Sequence, residues 1–382
     1  MKVGLVLERF DPSRGGREQW TFLFAQRLAA RGHEVHVAAR EFSAEARRLP
    51  LVLHAVVCAR SAEAFPEAAA GVVEPLGLDI VHDMGSGWQC DVFQPHGGSQ
   101  AALAERKLLL DPSWIRGLKR GVQRWLPRQR SFRRLAERQY ADRGQILLAL
   151  SESVADDFVR LHGVSRERIR VVYNGVDTDR FSPERCAPHR EATRRALGVG
   201  PSERLALIVA HNFRLKGVPA LLAAMASLAA EGLPVRLLVL GGKRLAPWRR
   251  RAARLGLAQT VRYVGPIGDP LPYYAAADLY VHPTIYDACS LVVLEAAACG
   301  LPIITSRSNG AAELFHNGVD ARLLDDPANV GELAASIRAL LGEPTRQRIG
   351  AAARQTVLEH SFERNVDRII DVYQEVLRRR AR

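Results

Sequence analysis

Cysteine is scarce and shows no pairing pattern: Cys58, Cys90, Cys186, Cys289 and Cys299 are odd in number, scattered, and contain no C-x-x-C spacing. That argues against a disulfide framework or a zinc site and fits a reducing cytoplasm. Long apolar runs are missing as well. The longest, from Val218 to Ala230, is alanine-rich, contains Pro219 and Ser227, and falls short of the ~20 residues that cross a bilayer. The first ten residues carry Glu8 and Arg9 where an export signal needs unbroken apolar character, so no leader is expected. Acid is in deficit, with 41 Asp and Glu against 54 Lys and Arg, a formal net charge of +13. Such a chain favours polyanions: nucleic acid, an anionic bilayer or phosphorylated substrates. The sequence has no zinc finger and no aromatic-studded RNA motif, so nucleic acid is not the expected partner. No repeat of solenoid period is seen.

What the chain does have is the ordinary globular balance, 47% hydrophobic and 25% charged, over 382 residues, a length that suits two domains rather than one. Val3–Leu7, a helix from about Gln19 to Arg31, and Val35–Ala38 read as strand, helix, strand. Strand candidates continue at 51–57, 79–82, 92–94, 146–150 and 170–173. Residues 174–204 lose periodicity and are broken by Gly175, Pro183, Pro188, Gly198, Gly200 and Pro201, as a connector would be. The alternation restarts at Leu205–Ala210 and continues at 235–240, 261–264, 279–282 and 302–305. The expected fold class is α/β, with two successive doubly wound, mostly parallel sheets facing each other. The expected domains are 1–180 and 203–361, with a final helix over 362–382 that packs back on the first.

Chemistry concentrates after His282. Asp287 is followed by seven residues and then Glu295, a spacing that sets one carboxylate at a helix entrance and the other two turns inside it. Carboxylates accept hydrogen bonds from vicinal hydroxyls, and free amides at Ala288, Cys289, Ser290 and Leu291 suit a phosphate. Spacing alone leaves the plainer reading open, that of a helix cap and a surface acid. Arg14-Gly15-Gly16-Arg17 lacks the full G-x-G-x-x-G fingerprint and is by itself a flexible turn. Asn174-Gly175 alone reads as a turn, and Lys216 is a cation at a helix start, where the macrodipole opposes it unless an anion is present.

The window from His282 to Glu313 resembles the donor-binding signature of glycosyltransferase family 4, whose members have the GT-B fold. Glu295, Gly300 and Pro302 match that signature; Asp287 stands where the family has glutamate, a shorter acid with shorter reach. Asn174-Gly175-Val176-Asp177 with Phe181 is similar to the family's domain-junction signature. Lys216 sits at the family's phosphate-binding lysine, while His211 replaces the arginine five residues before it and Arg214 is the candidate substitute. The resemblance implies Gly15 and Gly16 close to donor phosphate, Lys216 and Arg214 on the diphosphate, Asp287 on the sugar, Glu295 on the ribose, and His96 near the reacting carbon. Fixed cations and amides would stabilise charge growing on the leaving diphosphate, with no metal or other cofactor. Asp177-Thr178-Asp179 falls inside the junction signature and is not read as a metal site.

Between Ser99 and Arg134 ten basic residues face only Glu105 and Asp111, with Trp114 and Trp125 among apolar residues at helical spacing and Arg116, Arg120 and Arg124 on another face. This reads either as a basic helix resting on an anionic membrane or as an ordinary helix burying its aromatic face. The segment, with the stretch Arg31 to Val37, resembles the lipopolysaccharide core glucosyltransferase I group. That resemblance implies a retaining enzyme, UDP-glucose as the nucleotide-sugar donor, a membrane-associated glycolipid acceptor such as an inner-core heptose, Arg17 on the acceptor side, and a place on the cytoplasmic face of the inner membrane. A UDP-sugar epimerase of the same fold is the rival enzyme reading.

Overall fold

The computed structural model describes residues 1–59, 63–112, 114–117, 119, 121 and 127–381. It divides into two units, Met1–Tyr173 with Glu363–Arg382, and Asn174–Phe362.

The first unit contains β1 (Lys2–Val6), β2 (Arg9–Phe10), β3 (Glu34–Ala39), β4 (Glu41–Phe42), β5 (Val52–Ala55), β6 (Ile80–Asp83), β7 (Val92–Phe93), β8 (Ile146–Ala149) and β9 (Ile169–Val171). Seven of these form one sheet in the order β5-β3-β1-β6-β7-β8-β9, and β2 and β4 make a separate pair. Every strand pairing in the large sheet is parallel. Strands covered on both faces read as unbroken apolar runs, and the Ile-Leu-Leu-Ala of β8 is buried throughout. The second unit contains β10 (Arg204–Val209), β11 (Val235–Leu240), β12 (Val261–Gly265), β13 (Leu279–His282), β14 (Ile303–Ser306) and β15 (Ala321–Leu324), ordered β12-β11-β10-β13-β14-β15 and again parallel. Helix Val218–Ala230 buries Leu221, Leu222, Met225 and Leu228 in a core shared with Leu333 and Ile337 of helix Val330–Ala339. Each such side chain contributes about 1.5–3 kcal/mol when fully buried.

In both sheets the strand order reverses once, between β1 and β6 in the first and between β10 and β13 in the second. The loops leaving the carboxyl ends of those neighbouring strands diverge, which is where open α/β sheets hold ligands.

The stretch 174–204 and three short strands differ from the sequence reading. The stretch read as a connector belongs to the second unit and carries helix Arg190–Leu197. Its periodicity is weak because it is anchored by charge: Arg190 and Arg194 bind the buried Asp278 carboxylate at 2.6 and 2.9 Å. The strand β15, interrupted by Arg322, and the two-residue strands β2 and β4 were not foreseen.

The final helix, Phe362–Arg380, is part of the first unit from Glu363 onward. Val366, Ile369, Tyr373 and Val376, spaced three and four apart, form its buried face. Its outer face pairs Glu363 with Arg27 and Arg31, and Asp367 with Arg31. Inside, the Tyr373 hydroxyl lies 2.6 Å from Nδ1 of the fully buried His82. Burial pushes the His82 pKa down to about 3, so the ring is neutral in the fold. The unfolded chain binds that proton first on acidification; the His82 contribution to stability is therefore fully present above the ordinary histidine pKa and is lost as pH falls toward 3. Tyr373→Phe is expected to lower the unfolding free energy by about 1–3 kcal/mol, the cost of an unpaired buried polar group. Glu363→Ala, at an exposed pair, is expected to lower it by about 1 kcal/mol or less. Urea unfolding of the two variants checks the contrast.

Candidate active site

In the second unit, the loops after β10 and β13 are stitched together by main-chain contacts. Ile285 N–H and the Thr284 hydroxyl both donate to the Leu215 carbonyl, at 2.9 and 3.2 Å. Gly217 ends the first loop at φ 75°, and a Cβ there would lie 1.9 Å from the Pro283 carbonyl oxygen. Only glycine permits that approach. The result seats Lys216 beside Asp287: the ammonium donates to Asp287 Oδ2. Among the described residues no other partner takes up the remaining donors of Lys216.

The Asp287 loop is fixed from the other side. Asp287 N–H donates to the Ser308 carbonyl at 3.1 Å, and Gly310 N–H donates to the Asp287 carbonyl at 2.9 Å. Asn309 Oδ1 accepts from Ser290 N–H and Ala311 N–H. Asn174 Nδ2 donates to the Cys289 carbonyl at 2.7 Å, so the junction signature acts here as a clamp on the loop holding Ala288 and Cys289. Helix Leu291–Ala298 then begins at Ser290 with no side chain capping its amides. Its N-terminus opens three residues from Asp287, leaving donors and the positive end of the dipole for an anion.

Burial alone would raise the Asp287 pKa. The charge of Lys216 and the hydrogen bond from His282 outweigh it and hold the carboxyl well below the usual range. His282, kept low by burial, lies 3.3 Å from Asp287 Oδ2 through Nε2 and 3.4 Å from the Tyr280 hydroxyl through Nδ1. A neutral ring that donates from Nε2 and accepts at Nδ1 satisfies both contacts.

Glu295 lies within helix Leu291–Ala298 and is buried. Its Oε2 accepts the Tyr274 hydroxyl at 2.8 Å. Burial pushes its pKa up to about 7, against the opposing pull of Tyr274 and then Arg180. Its nearest charged surroundings are Arg180 and Asp269, themselves paired at 3.0 Å, rather than Lys216. The two carboxylates thus answer to different cations. The rings of Tyr274 and Tyr280, edge to face at 6.0 Å, lie between Glu295 and His282.

In the first unit, Gly15 precedes helix Gly16–Ala30. Arg17 pairs with Glu18 at 2.7 Å and reaches the Ser86 hydroxyl at 3.4 Å. Asp83, at the end of β6, accepts N–H bonds from Gly85, Ser86 and Gly87. Burial still pushes its pKa up to about 6. His96 packs on Trp20, ring centres 4.6 Å apart. Desolvation and then the Arg17 charge hold it well below the ordinary histidine range, so it is neutral. Gly15, Gly16, Arg17 and His96 therefore gather with Ser86 and Asp83 at the reversal point of the first sheet.

Of the basic segment, Trp114 is 81% exposed. Arg116 does not line a free basic face: it donates to the carbonyls of Asp111 and Leu109, capping the chain that follows helix Gln100–Leu108. Lys119 pairs with Asp111. Arg120, Arg124 and Trp125 lie outside the described residues. No helix among the described residues is long and apolar enough to cross a membrane.

Two family models match in succession, Glycosyltransferase Family 4 over residues 14–180 and Glycosyl transferases group 1 over residues 189–356. The chain belongs to the group 1, family 4 glycosyltransferases. It is 34% identical over 228 residues to D-inositol 3-phosphate glycosyltransferase 2 of Catenulispora acidiphila, taking in 56% of this chain and 52% of that one. To D-inositol 3-phosphate glycosyltransferase of Mycobacterium sp. strain KMS it is 34% identical over 238 residues, 60% of this chain and 51% of the relative. The chain spans about half the length of the curated relatives it matches. Among solved structures it is similar to WaaG, a glycosyltransferase involved in lipopolysaccharide biosynthesis, with TM-score 0.81, 23% identity, and coverage of 97% and 99% of the two chains. It is also similar to Anabaena HepE in complex with UDP-glucose, with TM-score 0.75, 19% identity, and coverage of 98% and 100%. These likenesses show the GT-B fold.

In this chain, sequence reasoning missed Tyr274, His282, Asn309, Arg180 and Asp83. His282 and Asn309 stand inside the window already singled out, so their nearness in sequence was a usable signal. Tyr274 and Arg180 are brought to Glu295 only by the fold. Because the Tyr274 hydrogen bond favours the charged form of Glu295, Tyr274→Phe is expected to raise that pKa above about 7. Lys216→Met is expected to raise the pKa of Asp287 toward the ordinary carboxylate range and leave Glu295 in place. Carboxyl-carbon NMR titrations of the two variants check both.

Proposed function

We propose that the chain transfers a hexose, with retention of anomeric configuration, from a UDP-linked donor to a hydroxyl of a phosphorylated polyol acceptor. The observation that carries this reading is the Lys216 ammonium set beside Asp287 at the uncapped start of helix Leu291–Ala298. A cation with spare donors, an open helix N-terminus and a carboxylate together match a sugar diphosphate: the first two meet the diphosphate and the third accepts sugar hydroxyls. Charge accumulates on the diphosphate as the glycosidic bond breaks, and fixed donors stabilise it without reorganising. Lys216 takes that role, with Arg214 two residues before it. Glu295 takes the ribose hydroxyls through the oxygen not engaged by Tyr274. Gly15 and Gly16 serve the donor phosphate, Arg17 serves the acceptor side, and neutral His96 accepts a hydrogen bond near the reacting carbon.

UDP-glucose is favoured as donor by the UDP-glucose complex of the structurally similar HepE. Two acceptors fit the class. A lipid-anchored heptose follows from the likeness to WaaG, and exposed Trp114 in a basic segment suits contact with an anionic membrane on its cytoplasmic face. A phosphorylated inositol follows from the names of the curated relatives.

Isothermal titration with UDP tests the donor assignment. Lys216→Ala and Glu295→Ala are each expected to weaken binding at least about tenfold, or about 1.4 kcal/mol. Unchanged affinity in either variant removes that residue from the donor site. Incubation with UDP-glucose and each acceptor is expected to yield a glycosylated product; isomerised sugar from donor alone overturns the transferase reading.

A further inference from the structure

The net positive charge is not spread evenly. From Gly232 to Gly268 the sequence has no Asp or Glu, yet it carries Arg236, Lys243, Arg244, Arg249, Arg250, Arg251, Arg254 and Arg262. Arg236 pairs with Glu203 at 3.4 Å. Among the described residues none of the other seven has an ion-pair partner, whereas arginines elsewhere in the unit commonly find one, as Arg180, Arg190, Arg194, Arg307 and Arg338 do. Exposed like charges a few ångströms apart repel by roughly 1 kcal/mol per pair even in water. A nearby anion removes that cost.

The cluster also has a shape. Arg236, Arg249, Arg250 and Arg262 line a cavity of about 690 Å³ with Gln259 and Tyr263, and no acidic side chain lines it. That volume lies within the range of small-molecule sites, about 300–1,000 Å³. Backbone contacts hold three of the four arginines: Arg249 donates to the Tyr263 carbonyl, Arg236 to those of Gly198 and Gln259, and Arg262 to that of Ala196. Each keeps further N–H donors for a ligand, and the guanidinium fork matches phosphate oxygens in pairs. The cavity is separate from Lys216 and Asp287. It sits at β12, the edge strand, near the amino ends of β11 and β12, while the Lys216 and Asp287 loops leave the carboxyl ends of β10 and β13.

We propose that this arginine-lined cavity is a second anion site, built for a ligand that presents two or more phosphate groups. Arg249, Arg250 and Arg262, with Arg236 beside them, place more positive charge around one concavity than a single phosphate neutralises, and the absence of a lining carboxylate disfavours a cationic occupant. The phosphates come either from a soluble polyphosphorylated compound or from clustered lipid headgroups.

The test is isothermal titration of inorganic tripolyphosphate into the full chain, Lys216→Ala, the triple variant Arg249→Ser/Arg250→Ser/Arg262→Ser, and the single variant Arg250→Ser. Arg250 makes no ion pair among the described residues, so its replacement leaves the fold intact, and thermal unfolding monitors the triple variant. A binding event that survives Lys216→Ala, weakens at least about tenfold in the triple variant and weakens measurably in Arg250→Ser is expected. Flotation with phosphatidylglycerol vesicles separates the sources: arginine-dependent flotation assigns the phosphates to headgroups, and tripolyphosphate binding without flotation assigns them to a soluble compound. Equal binding by the full chain and the triple variant overturns the proposal. So does binding of duplex DNA with neither tripolyphosphate binding nor flotation.

Discussion

A single ion pair lies at the centre of the candidate site in the second unit. Lys216 and Asp287 come from loops after two different strands, 71 residues apart, and contacts other than the ion pair tie these loops together and to their neighbours. The Leu215 carbonyl, Gly217 and Pro283 set the spacing on one side; Asn309, Ser308 and Asn174 set it on the other. Because neighbouring backbone rather than the pair itself determines the geometry, the charges sit where the sheet needs them and not where two free side chains would relax. That preorganisation is what electrostatic catalysis requires, since donors already in place do not have to move as charge develops. The pair also keeps Asp287 ionised at any physiological pH despite its burial.

Glu295 is governed by the opposite balance. Its acidity is set by burial and a tyrosine rather than by a cation, and its pKa near 7 leaves it divided between protonated and ionised forms around neutrality. Two acids eight residues apart thus differ widely in charge state. The difference follows from position: one lies in a loop facing a lysine, the other one helical turn into an apolar helix whose remaining residues are Leu, Val and Ala.

Much of this was legible before any coordinates. Parallel strands buried on both faces betray themselves as continuous apolar runs, as in Leu205–Val209 and Ile146–Ala149, so twelve of the thirteen strands in the two large sheets were read and only β15 was not; the acidic pair stood out by spacing and Lys216 by its family resemblance. What was hidden depends on pairing across distance. Helix Arg190–Leu197 has too little apolar pattern to announce itself, because Asp278 holds it. The tyrosine on Glu295 lies 21 residues upstream with no motif to link them. Arg116 looked like one member of a basic stripe, and only the structure shows it spent on backbone carbonyls. Charge runs are equally ambiguous: the segment from Ser99 to Arg134 drew notice through its tryptophans, while the stretch from Gly232 to Gly268, which has eight basic residues and no acid, carries no such flag.

The first unit is discontinuous in sequence, its last helix arriving only after the whole of the second. During synthesis the segments up to Tyr173 emerge with the His82 and Phe24 region lacking its Tyr373 cover, and they must wait for nearly two hundred further residues before that cover is made. The later half of the molecule is thus free to fold first, and nascent chains halted before residue 363 would carry an unfinished amino-terminal half. Quality control that recognises exposed apolar surface would meet it at the uncovered Phe24 and His82.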